Sequence, residues 1–118
     1  MKVLVIGASN NLSRVSYRAI LLLRAQEFEV VAIGREEGRI GDVNILTDQP
    51  DLDDIDTITL YINPRIQKRY YNYLISLSPR RVIFNPGTEN KELTKLLQHH
   101  GIKAEEACNL VLLSTGQF

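Results

Sequence analysis

The stretch Lys2-Val3-Leu4-Val5-Ile6-Gly7-Ala8-Ser9-Asn10-Asn11-Leu12-Ser13-Arg14-Val15-Ser16 decides the fold. Lys2–Ile6 is a run of β-branched and leucine side chains without polar alternation, which predicts a strand buried on both faces. Gly7 closes the run, and the polar Ser9-Asn10-Asn11 leads into a helical pattern. Val15, Ala19, Leu22 and Leu23 recur at i, i+4, i+7 and i+8, one face of a helix over about Ser13–Gln26. Strand, glycine turn and helix in that order make the first half of a βαβ unit.

Outward from this unit the alternation continues. Glu29–Ile33 reads as a second buried strand closed by Gly34, and Gly38 and Gly41 break the chain before a short peripheral strand at Val43–Leu46. Thr57–Ile62 is the next strand. Asn63-Pro64 then opens a helix, with asparagine as N-cap and proline at the first helical position, where its missing N–H costs nothing. Ile66, Tyr70, Tyr73, Leu74 and Leu77 form the buried stripe of that helix, and Ser78-Pro79 ends it. Arg81–Phe84 is a strand, and Lys91–His100 a helix stopped by Gly101. Lys103–Glu105 is a last short strand, and Leu110–Leu113 a packed C-terminal element. Strands alternating with amphipathic helices require right-handed crossovers, and so predict one parallel sheet covered on both faces. The expected fold is a single doubly wound sheet of about five to six strands over residues 1–118, with helices on both sides.

Composition sets the bounds. The chain has 118 residues, 14 basic and 14 acidic groups, and one cysteine, which fits one domain. Zero net charge argues against a general nucleic-acid or anionic-membrane binder. A single cysteine makes no internal disulfide, and no cluster of metal-ligating residues is evident. The longest apolar run, Ala19–Leu23, is far short of a membrane span, and the opening residues are too short for a signal peptide. The expectation is a cytoplasmic globular domain. Residues 1–59 carry 6 basic and 10 acidic groups and residues 60–118 carry 8 and 4, so the halves are −4 and +4. Five of those acids fall in Asp48–Asp56, which reads as a solvated connection.

In a doubly wound sheet ligands bind beyond the carboxyl ends of the strands, where strand order reverses. That rule places Gly7–Ser9, Gly34–Arg35, Asn63–Pro64 and Asn85–Asn90 on the binding edge, and Arg80 and Arg81 on the opposite one. The first turn is an anion site in outline. A glycine turns the backbone under a helix N-terminus, whose free N–H groups and dipole attract phosphate. Ser9 and Ser16 add hydroxyls, and Arg14 can pair with phosphate. A plainer reading makes Ser13 an N-cap and Arg14 a solvated side chain. The dinucleotide fingerprint G-x-G-x-x-G is absent, because serine and leucine occupy positions 9 and 12. At the end of the second strand Gly34-Arg35 replaces the acid expected for NAD, and arginine suits a phosphorylated ribose, as in NADP or coenzyme A.

These pieces together resemble the small stand-alone coenzyme-A-binding domain proteins of bacteria, Rossmann-like folds related to the nucleotide-binding domain of the succinyl-CoA ligase α subunit. The likeness runs over essentially the whole chain. Its carriers are Val5-Ile6-Gly7-Ala8-Ser9 with Arg14-Val15-Ser16, then Tyr61-Ile62-Asn63-Pro64, then Asn85-Pro86-Gly87-Thr88-Glu89-Asn90, and finally Glu105-Glu106-Ala107-Cys108 through Ser114-Thr115-Gly116. The resemblance implies diphosphate contacts at Gly7, Ala8, Ser9, Arg14 and Ser16, and nucleotide contacts at Gly34 and Arg35. It also implies that Asn63, Pro64, Asn85, Pro86 and Gly87 line the path toward the pantetheine. Two departures stand out: Asn10-Asn11 replaces the usual Ser-Pro-like pair, and Gly34-Arg35 the usual Asn-Pro.

No catalytic constellation emerges. His99 and His100 are adjacent on a helix and point about 100° apart, so they share no ligand. Cys108 follows Glu105-Glu106, whose charges oppose a thiolate, and reads as structural; the lesser reading pairs it with the thiol of bound coenzyme A. Glu89 has no nucleophile or electrophile beside it. The histidine that related ligases phosphorylate lies on a domain not represented here. The first expectation is therefore a non-catalytic binder of coenzyme A or an acyl-CoA. The alternatives are an NADP-dependent enzyme or sensor, and a ligand-free interaction module docking through Asp48–Asp56 or Leu110–Phe118. A protein partner or homo-oligomer is not indicated by the sequence.

Overall fold

The computed structural model describes residues 1–118. In chain order the elements are β1 (Lys2–Ala8), α1 (Val15–Ala25), β2 (Glu29–Gly34), β3 (Gly38–Ile40), β4 (Val43–Leu46) and β5 (Ile55–Leu60). There follow α2 (Pro64–Gln67), a 3-10 turn (Lys68–Tyr70), α3 (Tyr71–Leu77), β6 (Arg81–Phe84), α4 (Lys91–His99), β7 (Lys103–Glu106) and α5 (Asn109–Ser114). The strands form one seven-stranded sheet in the order β3-β4-β2-β1-β5-β6-β7. From β1 the chain winds outward through β2 and β4, then crosses back over β1 to continue through β5, β6 and β7. Strand order therefore reverses between β1 and β5, where a doubly wound sheet opens its crevice.

The strand alternation sorts two cores. Leu4, Ile6, Ile58, Leu60, Val82 and Phe84 face Leu74, Leu93 and Leu97 of α3 and α4. Val3, Val5 and Ala32 face Ile20, Leu23 and Leu113 of α1 and α5. Each fully buried leucine, isoleucine or phenylalanine contributes about 1.5–3 kcal/mol through removal from water.

Several expectations need correction. The sheet has seven strands, and β3 runs antiparallel to β4. The glycines read as breaks instead build this hairpin: Ile40 pairs with Val43 around Gly41, whose φ of +58° suits a tight two-residue turn. Helix α1 starts at Val15, and its buried face is Ser16, Ala19, Ile20 and Leu23. That face is turned from the expected one, leaving Val15 41% exposed, because the small Ser16 packs where a larger apolar residue was anticipated. The helix after Asn63 is broken by the 3-10 turn, and only Tyr73 and Leu74 of its expected stripe are buried. Gln67 takes the interior place there, at 0% exposed.

Candidate functional site

Two close approaches fix the first turn. Gly7 has φ +100°, and a Cβ on it would stand 2.9 Å from the backbone carbon of Tyr61. The turn is thereby laid against the start of the β5–α2 loop, and the Tyr61 N–H donates to the Ile6 carbonyl at 2.8 Å. A Cβ on Gly34 would fall 2.2 Å from the Ala8 carbonyl oxygen, where the β1–β2 register shifts between Ile6 and Ala8. Glycine at both positions lets the ends of β1, β2 and β5 converge.

Asn11 organises the turn. Its Oδ1 accepts from the Ser13 N–H at 3.0 Å and the Ser13 hydroxyl at 2.8 Å, and its carbonyl accepts from the Arg14 N–H at 3.0 Å. The Asn11 N–H donates to Ser9 Oγ at 3.1 Å. Ser13 is thus spent inside the turn and is not the N-cap. That place belongs to Arg14, in extended conformation, with no side-chain cap and no acid in the first helical turn. By contrast α2 and α4 are closed by their own asparagines, Asn63 accepting from the Ile66 N–H at 3.0 Å and Asn90 from the Leu93 N–H at 3.1 Å. The α1 N-terminus faces the crevice with its dipole uncompensated.

The other predicted residues divide into groups that present themselves and groups that hold the frame. Arg14 and Arg35 are exposed, while Ser16 is 3% exposed beneath the turn. Asn85 is 3% exposed and its side chain is fully engaged. Its Nδ2 donates to Thr59 Oγ1 at 2.7 Å and the Leu60 carbonyl at 2.9 Å, and its Oδ1 accepts from the Asn109 N–H at 2.8 Å. Asn85 therefore ties β5, β6 and α5 together, and Asn63 is occupied as a cap. Pro86 and Gly87 are exposed at the rim, with Gly87 at φ +91° and its N–H donated to the Glu89 carboxylate at 3.0 and 3.2 Å. Glu89 is accordingly a loop clamp.

Three residues at this edge escaped the sequence reading. Gln67 donates to the Ile62 and Thr88 carbonyls, both at 2.8 Å, and accepts from Asn90 Nδ2 at 2.8 Å, locking the loops after β5 and β6 together. Its signal was a phase: Gln67, Tyr71 and Leu74 fall at i, i+4 and i+7. Asn109 is 0% exposed with both amide atoms unpartnered, and the Tyr61 hydroxyl is buried without a partner. Burial pushes the Tyr61 hydroxyl well above the ordinary tyrosine range, so it stays protonated. Cys108 is half-buried at the N-cap of α5. On the opposite edge Arg80 is paired with Asp56 at 3.1 Å, and Arg81 is buried against Thr57, Glu105 and the Phe118 carbonyl. His99 and His100 are exposed, and no group of His, Cys, Asp and Glu side chains could hold a metal.

The family model for a CoA binding domain matches residues 1–114. The chain belongs to this family of CoA-binding domains. Among solved structures, this CoA-binding domain is 44% identical to an uncharacterized protein, with TM-score 0.96 over 99% of this chain and 97% of that one. A Thermus thermophilus protein superposes with TM-score 0.86 at 19% identity, over 99% of this chain and 90% of that one. A conserved hypothetical protein from Pyrococcus furiosus gives TM-score 0.82 at 20% identity, over 93% and 97%. The last two show the Rossmann-like fold alone. No curated protein matches the CoA-binding domain. No helix in it is long and apolar enough to cross a membrane.

Proposed function

We propose that this domain binds coenzyme A or an acyl-CoA, with the diphosphate over the α1 N-terminus, and has no catalytic chemistry of its own. One observation carries the reading: α1 opens at the strand-order reversal with Arg14 at its cap and no side chain closing it. An exposed arginine at the positive end of a helix dipole is unfavourable until an anion arrives, and a diphosphate supplies that charge. Gly7, Ala8 and Ser9 provide a backbone that approaches the ligand closely, and Arg35 stands exposed at the end of β2 for a ribose phosphate. Pro86 and Gly87 border the way to the pantetheine. Asn85 and Asn63 shape that way from behind, since their polar atoms are engaged within the protein.

The exposed Arg35 favours one second reading, an NADP site on the same frame. Thermal unfolding in the presence of each ligand separates the two. A ligand at 100 times its dissociation constant adds about 2.7 kcal/mol of stability. Coenzyme A or acetyl-CoA at millimolar concentration is expected to raise the midpoint more than NADPH does. A larger shift with NADPH transfers the site to the dinucleotide, and no shift with any of them removes the coenzyme reading.

A further inference from the structure

Helix α1 carries more apolar side chains than the sheet can cover. Ile20-Leu21-Leu22-Leu23 spans about 300° of the helix at about 100° per residue, so no single face takes all four. Ile20 and Leu23 are fully buried, while Leu22 is half-buried and Leu21 is 41% exposed. The other exposed large apolar side chains, Met1 apart, are Leu12, Val15 and Val111. Val15 and Leu21 belong to α1 and Val111 to α5, and Gln26 Nε2 ties the end of α1 to the Leu113 carbonyl of α5 at 3.4 Å. Between these helices runs a shallow groove of about 450 Å3 lined by Arg18, Leu21, Leu22, Ala25 and Leu110. Apolar residues scattered singly over a surface need no covering, but these gather on one face.

Two charges of opposite sign stand at the two ends of the groove. Arg18 and Glu27 are both exposed, and neither takes part in the four ion pairs of the molecule. Arg18 lies four residues from Arg14, a like charge near the positive end of the α1 dipole. Glu27 lies just past the negative end, beside an Arg24 already held by Asp42 at 2.8 Å. Within one chain, each of these charges sits at the end of the helix that suits it least.

We propose that the α1–α5 face seats a second copy of this chain, in a two-fold dimer whose α1 helices run antiparallel and cross at Leu21-Leu22. The charges choose this arrangement. A two-fold axis along α1 would set Arg18 against Arg18 and Glu27 against Glu27. An axis normal to α1 lays Arg18 of each copy over the small Ala25 of the other. The arginine stem then covers the groove, and its guanidinium meets the Glu27 carboxylate and the last carbonyls of the facing helix. Leu21 and Leu22 fill the centre, and Leu110 and Val111 close the sides. One copy carries both halves of the complementarity, as an isologous contact requires, so the face fits its own kind. The proposal is separate from the coenzyme reading and stands whether or not the crevice is filled.

Sedimentation equilibrium of the full chain tests it. From micromolar to millimolar concentration the mass is expected to rise from 13.4 kDa to twice that value. Leu21→Glu should hold the chain at the lower mass throughout. Arg18→Glu and Glu27→Arg should each weaken association about tenfold, because each turns two symmetry-related attractions into repulsions on the scale of exposed ion pairs. The double variant should recover the wild-type affinity. Both reversals suit the dipole of the isolated helix, so neither endangers folding. A single-chain mass at millimolar concentration overturns the proposal, as does a dimer that the single reversals leave untouched or that the double variant fails to restore. A monomer that instead co-sediments with anionic lipid vesicles, and stops doing so as Leu21→Glu, gives the face to a membrane surface and overturns it too.

Discussion

Arg14 sits where the α1 dipole is least hospitable to a cation, and the turn before it uses Ser9, Asn11 and Ser13 internally while the arginine side chain makes no hydrogen bond. Replacing it separates structure from binding. Arg14→Ala removes a group with no recorded partner, so thermal stability of the free protein should be unchanged or slightly higher. Coenzyme A affinity should fall by about 1–3 kcal/mol, the range for a hydrogen bond to a charged group, read by titration. Unchanged affinity returns Arg14 to the solvent. The glycines allow a second comparison. Gly7 and Gly87 both have positive φ, but a Cβ at Gly7 meets the Tyr61 backbone at 2.9 Å while one at Gly87 meets nothing within 4 Å. Gly87→Ala should therefore cost about 1–3 kcal/mol from backbone conformation alone. Gly7→Ala adds an overpacking cost of about 1–3 kcal/mol more, and chemical denaturation of the two variants should show that order.

At the scale of elements, α5 is joined to the sheet through Asn85, which bonds β5 on one side and the Asn109 N–H on the other. Asn85→Ala strips these bonds and orphans a buried N–H, a loss of about 2–4 kcal/mol in unfolding free energy on the scale for buried hydrogen-bonding groups. Asn109 should behave in the opposite way. Its buried amide has no partner at either atom, so Asn109→Leu trades an unsatisfied polar group for an apolar one of similar size. The expected result is a melting temperature equal to or above that of the wild type; a clear drop would mean that the amide is satisfied in solution. The same contrast explains what the chain disclosed. β1, β2, β5 and β6 were legible because strands covered on both faces are rich in β-branched and apolar side chains, and the cap at Asn63 because capping is local. β3 was not, since three residues beginning with glycine carry no period. Gln67 and Asn109 were hidden for another reason: their burial depends on loops and helices far away in sequence.

The whole molecule makes sense of its neutral charge. The proposed diphosphate site, a helix end with an exposed arginine, needs no general excess of basic residues, and the −4 and +4 halves meet within one sheet. The Asp48–Asp56 segment departs from a pure solvated run, because Asp48 lines a cavity and Asp56 pairs with Arg80. The Arg80 guanidinium holds the Asp56 carboxyl below the ordinary range, against a smaller opposing effect of burial. The C-terminal tail is likewise engaged within the fold: Leu113 is buried, and the Phe118 ring lies 5.2 Å from Phe28 and under Arg81 at 4.7 Å. On the crevice edge Arg14 and Arg35 stay exposed, while Asn63, Asn85 and Glu89 are engaged within the frame. The most direct test of the account is an amide-resolved NMR titration of the 118-residue chain with coenzyme A. Saturable shifts should be largest at Gly7–Ser16 and at Gly34-Arg35, with the Arg80–Arg81 edge unmoved. Shifts centred elsewhere, or a spectrum unchanged at millimolar coenzyme A, would contradict it.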